Sequence, residues 1–274
     1  MRNEEFLRTE MILGGDALDR LRRSHVAVFG LGGVGSYVVE ALCRAGVGEL
    51  TLIDGDTVSV TNINRQLYAL HSTVGQPKAE AAAARCRDIC PDTVVHPIVG
   101  IYDAAHREEF FAAQYDYIVD AIDLVSCKLD LIQQARERRI PILTALGTGN
   151  KLQPELLTIT DIAKTSGCPL ARVMRKELRG RGIHHLKVAF SPAGAACADH
   201  TAGNAAAGTA QCSGQRVVGA AGGGTADGGH GGAGSFERRR ADPMILLGSV
   251  VNGGAVVVGG LVGMFVGKLL PERL

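Results

Sequence analysis

Arg65 and Lys78 follow a glycine-rich loop and two closely spaced acids, and that combination suits chemistry at phosphorus. The loop reads Gly30-Leu31-Gly32-Gly33-Val34-Gly35-Ser36, the acids are Asp54 and Asp56, and the cations sit in Asn62-Ile63-Asn64-Arg65-Gln66 and Gly75-Gln76-Pro77-Lys78. Glycine has no Cβ, so its backbone amides can close on a phosphate at the start of a helix. Asp54 stands where such a loop places an acid on the ribose hydroxyls. On Gly30, Gly32, Gly33, Gly35 and Asp54 alone, NAD, FAD and ATP all remain open. The cations narrow the choice. Backbone amides largely satisfy a dinucleotide's pyrophosphate, whereas a triphosphate attacked at phosphorus develops charge that cations must meet. Asp56 projects to the same side of an extended segment as Asp54. A second acid near phosphates suits Mg²⁺, which takes oxygen ligands and substrate phosphates. Taken singly, Arg65 or Lys78 would be a solvated surface charge; in series with the acids, both point to triphosphate.

The elements that must hold these residues are legible as alternating strands and helices. Strands are predicted at 26–29, 50–53, 94–99, 117–120 and 141–145, with helices at 36–45, 76–89, 104–113 and 126–138. This alternation predicts an α/β fold, a doubly wound, mostly parallel Rossmann-like sheet with C-terminal additions. Ligands in such sheets lie beyond the carboxyl ends of the strands. Gly30, Asp54 and Asp123 all fall there, so they are expected in one crevice. Asp120 ends a strand too and is expected to be structural.

Together these motifs, with Asp120-Ala121-Ile122-Asp123, resemble the ubiquitin-activating-type (ThiF/MoeB-like) adenylating family, over about residues 8–190. The resemblance implies ATP and Mg²⁺ as cofactors and adenylation of a carboxylate. ATP would contact Gly30, Gly32, Gly33, Gly35, Asp54, Asp56, Asn62, Arg65 and Lys78. Arg65 and Lys78 would stabilise developing charge, and Asp56 and Asp123 would support the metal through the phosphates. It further implies a homodimer in which Arg8 reaches the partner subunit's triphosphate, an arginine-finger logic. Arg8, Arg65, Lys78 and Asp123 are thus the expected catalytic set.

Farther on, Asp161-Ile162-Ala163-Lys164-Thr165 and Pro169-Leu170-Ala171-Arg172 resemble the tRNA-acting branch, the threonylcarbamoyladenosine dehydratases, with Cys168 departing from an expected acid. The resemblance implies ring closure of a threonylcarbamoyl group on an adenosine beside the anticodon. Arg172, Arg175, Lys176 and Arg179 share one helical face by spacing. That face suits an RNA backbone, although a charge run is ordinarily a solvated surface.

Composition bounds the rest. The chain has 274 residues, net charge +1 and 46% hydrophobic residues. It is long enough for one enzyme-sized domain, and any RNA contact must come from a local patch. The N-terminus lacks an apolar signal core, so a cytoplasmic protein is expected. Seven cysteines without a Cys-x-x-Cys pair fit reduced thiols rather than a zinc site. Cys86, Cys90 and Cys127 are expected to pack in the core. Residues 1–192 are expected to form the ATP-binding adenylating domain, and 193–240 a Gly/Ala-rich low-complexity segment. Residues 241–274 contain an apolar run, expected as a buried helix in preference to a membrane contact. The alternatives to tRNA cyclisation are adenylation of a sulfur-carrier protein with a sulfur-transfer partner, a nicotinamide oxidoreductase, and a non-catalytic nucleotide-binding scaffold.

Overall fold

A computed structural model describes residues 4–149 and 153–193. The segments expected at 193–240 and 241–274 lie outside the described residues, except for residue 193 itself. Seven strands form one sheet in the order β3-β2-β1-β4-β5-β7-β6. They are β1 (His25–Phe29), β2 (Glu49–Ile53), β3 (Val94–Ile98), β4 (Tyr117–Asp120), β5 (Ile142–Ala145), β6 (Thr158–Asp161) and β7 (Lys187–Phe190). All neighbours pair in parallel except β6, which runs antiparallel to β7. The helices are α1 (Leu7–Leu13), α2 (Gly15–Arg22), α3 (Gly35–Arg44), α4 (Lys78–Ile89), α5 (Arg107–Phe110), α6 (Val125–Glu137) and α7 (Pro169–Gly180).

The expected doubly wound sheet is therefore present. Chain order reverses between β1 and β4, and this switch point opens a crevice at the carboxyl ends of those strands. Three local expectations differ. The helix expected at 104–113 closes to α5, because Asp103 accepts the backbone N–H groups of Ala105 and His106 in a turn. The helix expected at 76–89 starts at Lys78, since Gln76 is held in the backbone pairing with Val58. Beyond the five strands expected, the sheet also holds β6 and β7.

Central strand β1 is buried along its whole length, as a run of apolar residues covered on both faces should be. On one face Val26, Val28, Leu50 and Leu52 pack with Leu18, Leu21, Val38, Leu42 and the Ala79/Ala82/Ala83/Cys86 stripe of α4. That stripe recurs at the three- and four-residue spacing of a helix facing a core. On the other face Ala27, Phe29 and Ile53 pack with Tyr102, Phe110, Tyr115 and Leu131. Phe29 alone, fully buried, contributes about 1.5–3 kcal/mol by burial. A third cluster joins α6, α7 and β7 through Leu129, Ile132, Met174, Leu178 and Val188. Edge strand β3 carries Pro97, which an edge tolerates because one row of N–H groups is unpaired there.

One buried polar pair crosses this core. Lys128 Nζ donates to Asp120 Oδ1 at 2.9 Å, both side chains being buried, and Ile122 N donates to the same oxygen at 3.1 Å. The pair ties the end of β4 to the first turn of α6. Asp120 is structural, as its strand-end position led one to expect.

Candidate nucleotide-binding and adenylation site

The glycine loop closes the end of β1 against the end of β4. Gly30 has φ +86°, and a Cβ there would lie 2.6 Å from Ala121 O. A Cβ on Gly35 would lie 1.8 Å from Gly30 O. No side chain fits at either place, so the loop turns back on itself and presents the first residues of α3. By contrast, Gly32 and Gly33 meet only ordinary contacts, from Gln66 Nε2 at 3.8 Å and from Arg65 O at 3.7 Å. Their surface is an open cradle under the positive end of α3, where an anion is favoured.

Asp54 fixes this cradle. Leu31 N donates to its Oδ2 at 2.7 Å and Asp56 N to its Oδ1 at 2.9 Å. Each carboxylate oxygen keeps a lone pair, so the group can still accept a ribose hydroxyl. From Asp56 the chain runs out and returns to α4. Val58 N donates to Gln76 O, Gly75 N to Val58 O, and Lys78 N to Asp56 O at 3.0 Å.

That return places Lys78 at the first residue of α4. Its side chain is only 7% exposed, with Nζ 2.6 Å from Asp56 Oδ2 and 3.9 Å from Asp54 Oδ1. A cation at a helix N-terminus opposes the dipole, so the position costs stability unless an anion answers it. Here Asp56, 68% exposed, answers from the solvent side. A phosphate arriving from solvent can take over that contact.

The segment after Asp56 hangs from α3. Leu67 N donates to Ser36 Oγ at 3.2 Å, and the Tyr68 hydroxyl donates to Ser36 O at 2.8 Å. Ser36 and Tyr68 were missed by motif reading, because they position others rather than meet a ligand. Asn62 spends its Oδ1 on Ser59 N at 3.0 Å, capping a short 3₁₀ turn. Arg65 lays its aliphatic stem beside Gly33, but its guanidinium donates to Thr61 O at 2.9 Å and Asn64 Oδ1 at 3.1 Å. Its head is therefore folded onto its own turn. Asp123 is exposed just beyond β4, on the bank of the crevice where Ala121 meets Gly30.

Asp56 and Asp123 are not gathered into a three-ligand cluster among the described residues. Cys127 is buried, and burial pushes its thiol pKa up, so it packs rather than attacks. Cys43, Cys86 and Cys90 are likewise buried.

Arg8 lies elsewhere, exposed on α1 among Leu7 (41% exposed), Met11 (72%) and Ile12 (82%). On α7, Arg172, Lys176 and Arg179 are exposed, but Arg175 is not part of that face. It is half-buried and donates to Thr165 O at 2.7 Å and to the Thr165 hydroxyl. Helical spacing could not show that a nearby carbonyl would claim it. Cys168 caps α7, its Sγ accepting from Ala171 N at 3.5 Å.

The ThiF family profile matches residues 6–265. The chain belongs to the ThiF family. Among relatives of this ThiF-family protein, the tRNA threonylcarbamoyladenosine dehydratase of Bacillus subtilis is 44% identical over 188 residues, 68% of this chain and 74% of the relative. The crystal structure of Escherichia coli tRNA N6-threonylcarbamoyladenosine dehydratase in complex with ATP superposes with a TM-score of 0.73 at 28% identity, covering 98% of this chain and 96% of that one. Molybdopterin-synthase adenylyltransferase of E. coli is more distant, 32% identical over 163 residues, 58% of this chain and 64% of the relative.

Proposed function

We propose that this protein binds ATP in the β1/β4 crevice and adenylates the carboxylate of N6-threonylcarbamoyladenosine in tRNA, which then cyclises. The observation that carries the reading is the near-buried Lys78 ammonium, held by Asp54 and Asp56 at the mouth of the glycine cradle. A dinucleotide needs no such cation, whereas displacement at phosphorus does. The fold's likeness to a dehydratase solved in complex with ATP supports the same reading.

In this mechanism Asp54 holds the ribose while the amides of the loop hold the phosphates. Lys78 moves from Asp56 to the phosphate oxygens, and Arg65 unfolds from its turn to join it. Asp56 and Asp123 would hold Mg²⁺ beside the phosphates, where it would supply further neutralisation of their charge. The substrate carboxylate displaces pyrophosphate at the α-phosphorus, giving a mixed anhydride. A group of the same modification attacks the activated carbonyl, the ring closes and AMP leaves. The net change is loss of water, and proximity within one nucleoside makes a protein nucleophile unnecessary.

Helix α7 supplies the RNA contact. Its N-terminus abuts the carboxyl ends of β5 and β7. A Cβ on Gly147 would lie 2.8 Å from Cys168 Sγ, and one on Gly167 2.5 Å from Pro192 O. Arg172, Lys176 and Arg179 therefore form a cationic line leading away from the crevice's end of the sheet. The purified protein, given ATP, Mg²⁺ and tRNA bearing the open-chain nucleoside, is expected to yield the cyclised form and AMP by mass spectrometry of nucleosides. Arg172→Glu with Lys176→Glu should raise KM for tRNA and flatten its salt dependence, leaving kcat little changed. Pyrophosphate release with a sulfur-carrier protein, and none with tRNA, would transfer the reading to carrier activation.

The protein acts as a homodimer in the cytoplasm. Leu7, Met11 and Ile12 give α1 an apolar face, and burying it against a second copy would carry Arg8 with it. Arg8→Ala and Lys78→Ala chains, each inactive alone, are expected to recover activity when mixed, because one mixed site keeps both cations. Failure of every mixture to recover places Arg8 outside the partner's site.

A further inference from the structure

At the end of the sheet away from the nucleotide crevice, β1, β2 and β3 bring His25, Glu49 and His96 together. One ligand-capable atom from each lies within 4.8 Å of the others. Glu49 Oε1 is 2.8 Å from His96 Nε2 and 3.6 Å from His25 Nδ1. The register explains this. His25 pairs with Glu49, and His96 pairs with Thr51 two residues along β2. The period of two sets all three on one face of the sheet.

We propose that His25 Nδ1, His96 Nε2 and a Glu49 carboxylate oxygen bind a divalent transition-metal cation of the Zn²⁺ class. Two imidazoles and one carboxylate are a donor set that Zn²⁺ accepts, with a fourth position left to water. Tetrahedral bonds of about 2.0–2.2 Å set ligand atoms about 3.4 Å apart. The Glu49 distances of 2.8 and 3.6 Å bracket that value.

The surroundings of His25 support coordination rather than a simple ion pair. Coordination through Nδ1 requires the ring proton on Nε2. Thr51 Oγ1 stands 2.8 Å from Nε2, in place to accept it. Behind the ring, Tyr115 donates to Phe110 O at 2.7 Å. The Tyr115 ring also meets His25 edge-on at 5.0 Å. Asp116 Oδ2 holds the backbone N–H of His25 at 2.8 Å. A His96–Glu49 ion pair accounts for one contact; it does not account for a second ring beside it whose Nε2 stands against Thr51. The His25 side chain is 10% exposed, against 48% for His96 and 42% for Glu49, so the cation has a route from solvent.

The bound metal clips edge strand β3 to β1 across β2. It lies the length of β1 from the glycine loop, roughly 16 Å, so its effect is on stability rather than on the reaction.

The test titrates Zn²⁺ into chelator-stripped full-length protein by calorimetry and follows Tm, with Co²⁺ as a visible-absorbing substitute. The unsubstituted protein is expected to bind Zn²⁺ and to gain Tm. His96→Ala should lose at least tenfold in affinity together with the Tm gain. Thr51→Val keeps all three ligands and should still lose about 10–100-fold. Equal Zn²⁺ affinity in the unsubstituted protein and His96→Ala, or a Co²⁺ spectrum that the substitution leaves unchanged, overturns the proposal.

Discussion

Lys78→Ala is expected to lower the rate of ATP-dependent pyrophosphate release by about 10²–10³-fold, the loss typical when one preorganised charge-stabilising donor is removed. The fold should survive. Asp54 keeps its bonds from Leu31 N and Asp56 N, and Asp56 is largely exposed and so stays hydrated. Far-UV circular dichroism and urea unfolding check that point alongside the assay. Lys78→Arg is expected not to rescue the rate. The Lys78 side chain is 7% exposed, and a planar guanidinium fork does not reproduce the compact point charge of an ammonium at such a site. A variant that retains full turnover while remaining folded would remove the central cation from the reaction and favour a scaffold.

Lys128→Met is expected to destabilise the protein by about 3–5 kcal/mol, because it leaves the Asp120 charge buried with no cation beside it. Asp120 Oδ2 already lacks a hydrogen-bond partner, so little remains to absorb the loss. Urea unfolding should show the midpoint falling sharply. The double variant Asp120→Leu with Lys128→Met should recover much of that loss, since two apolar side chains replace a desolvated pair. Non-additivity of this kind separates an ionic contact from mere packing. Should both single variants unfold near the parent's midpoint, the pair is not carrying the junction of β4 and α6.

Much of the site could be read from sequence because its residues are local to strand ends. Gly30, Asp54 and Asp123 each follow a strand, and a parallel sheet gathers such positions at one edge. Lys78 was visible as a motif, though its burial was not; that comes from the return of residues 57–77 pairing back onto Asp56. Arg65 was placed by its motif as well, but which carbonyl holds its head depends on a turn that spacing cannot specify. Arg175 misled for the same reason. The Lys128–Asp120 pair could have been suspected, because a lysine within the apolar face of a helix seldom lies there alone. The His25/Glu49/His96 cluster was invisible, since three residues on three strands meet only once the register is known.

The Asp120–Lys128 tie has a mechanical consequence for the crevice. Its β4 bank is anchored in the core by a buried ionic bond, whereas the opposite bank is packed through Val58, Tyr68 and Ala69 but carries an exposed turn, residues 59–65, held by its own hydrogen bonds. Densely packed interiors resist small deformations while hydrogen-bonded loops yield. Accommodation of an incoming ligand therefore falls on the turn that bears Arg65, which yields toward an anvil that does not.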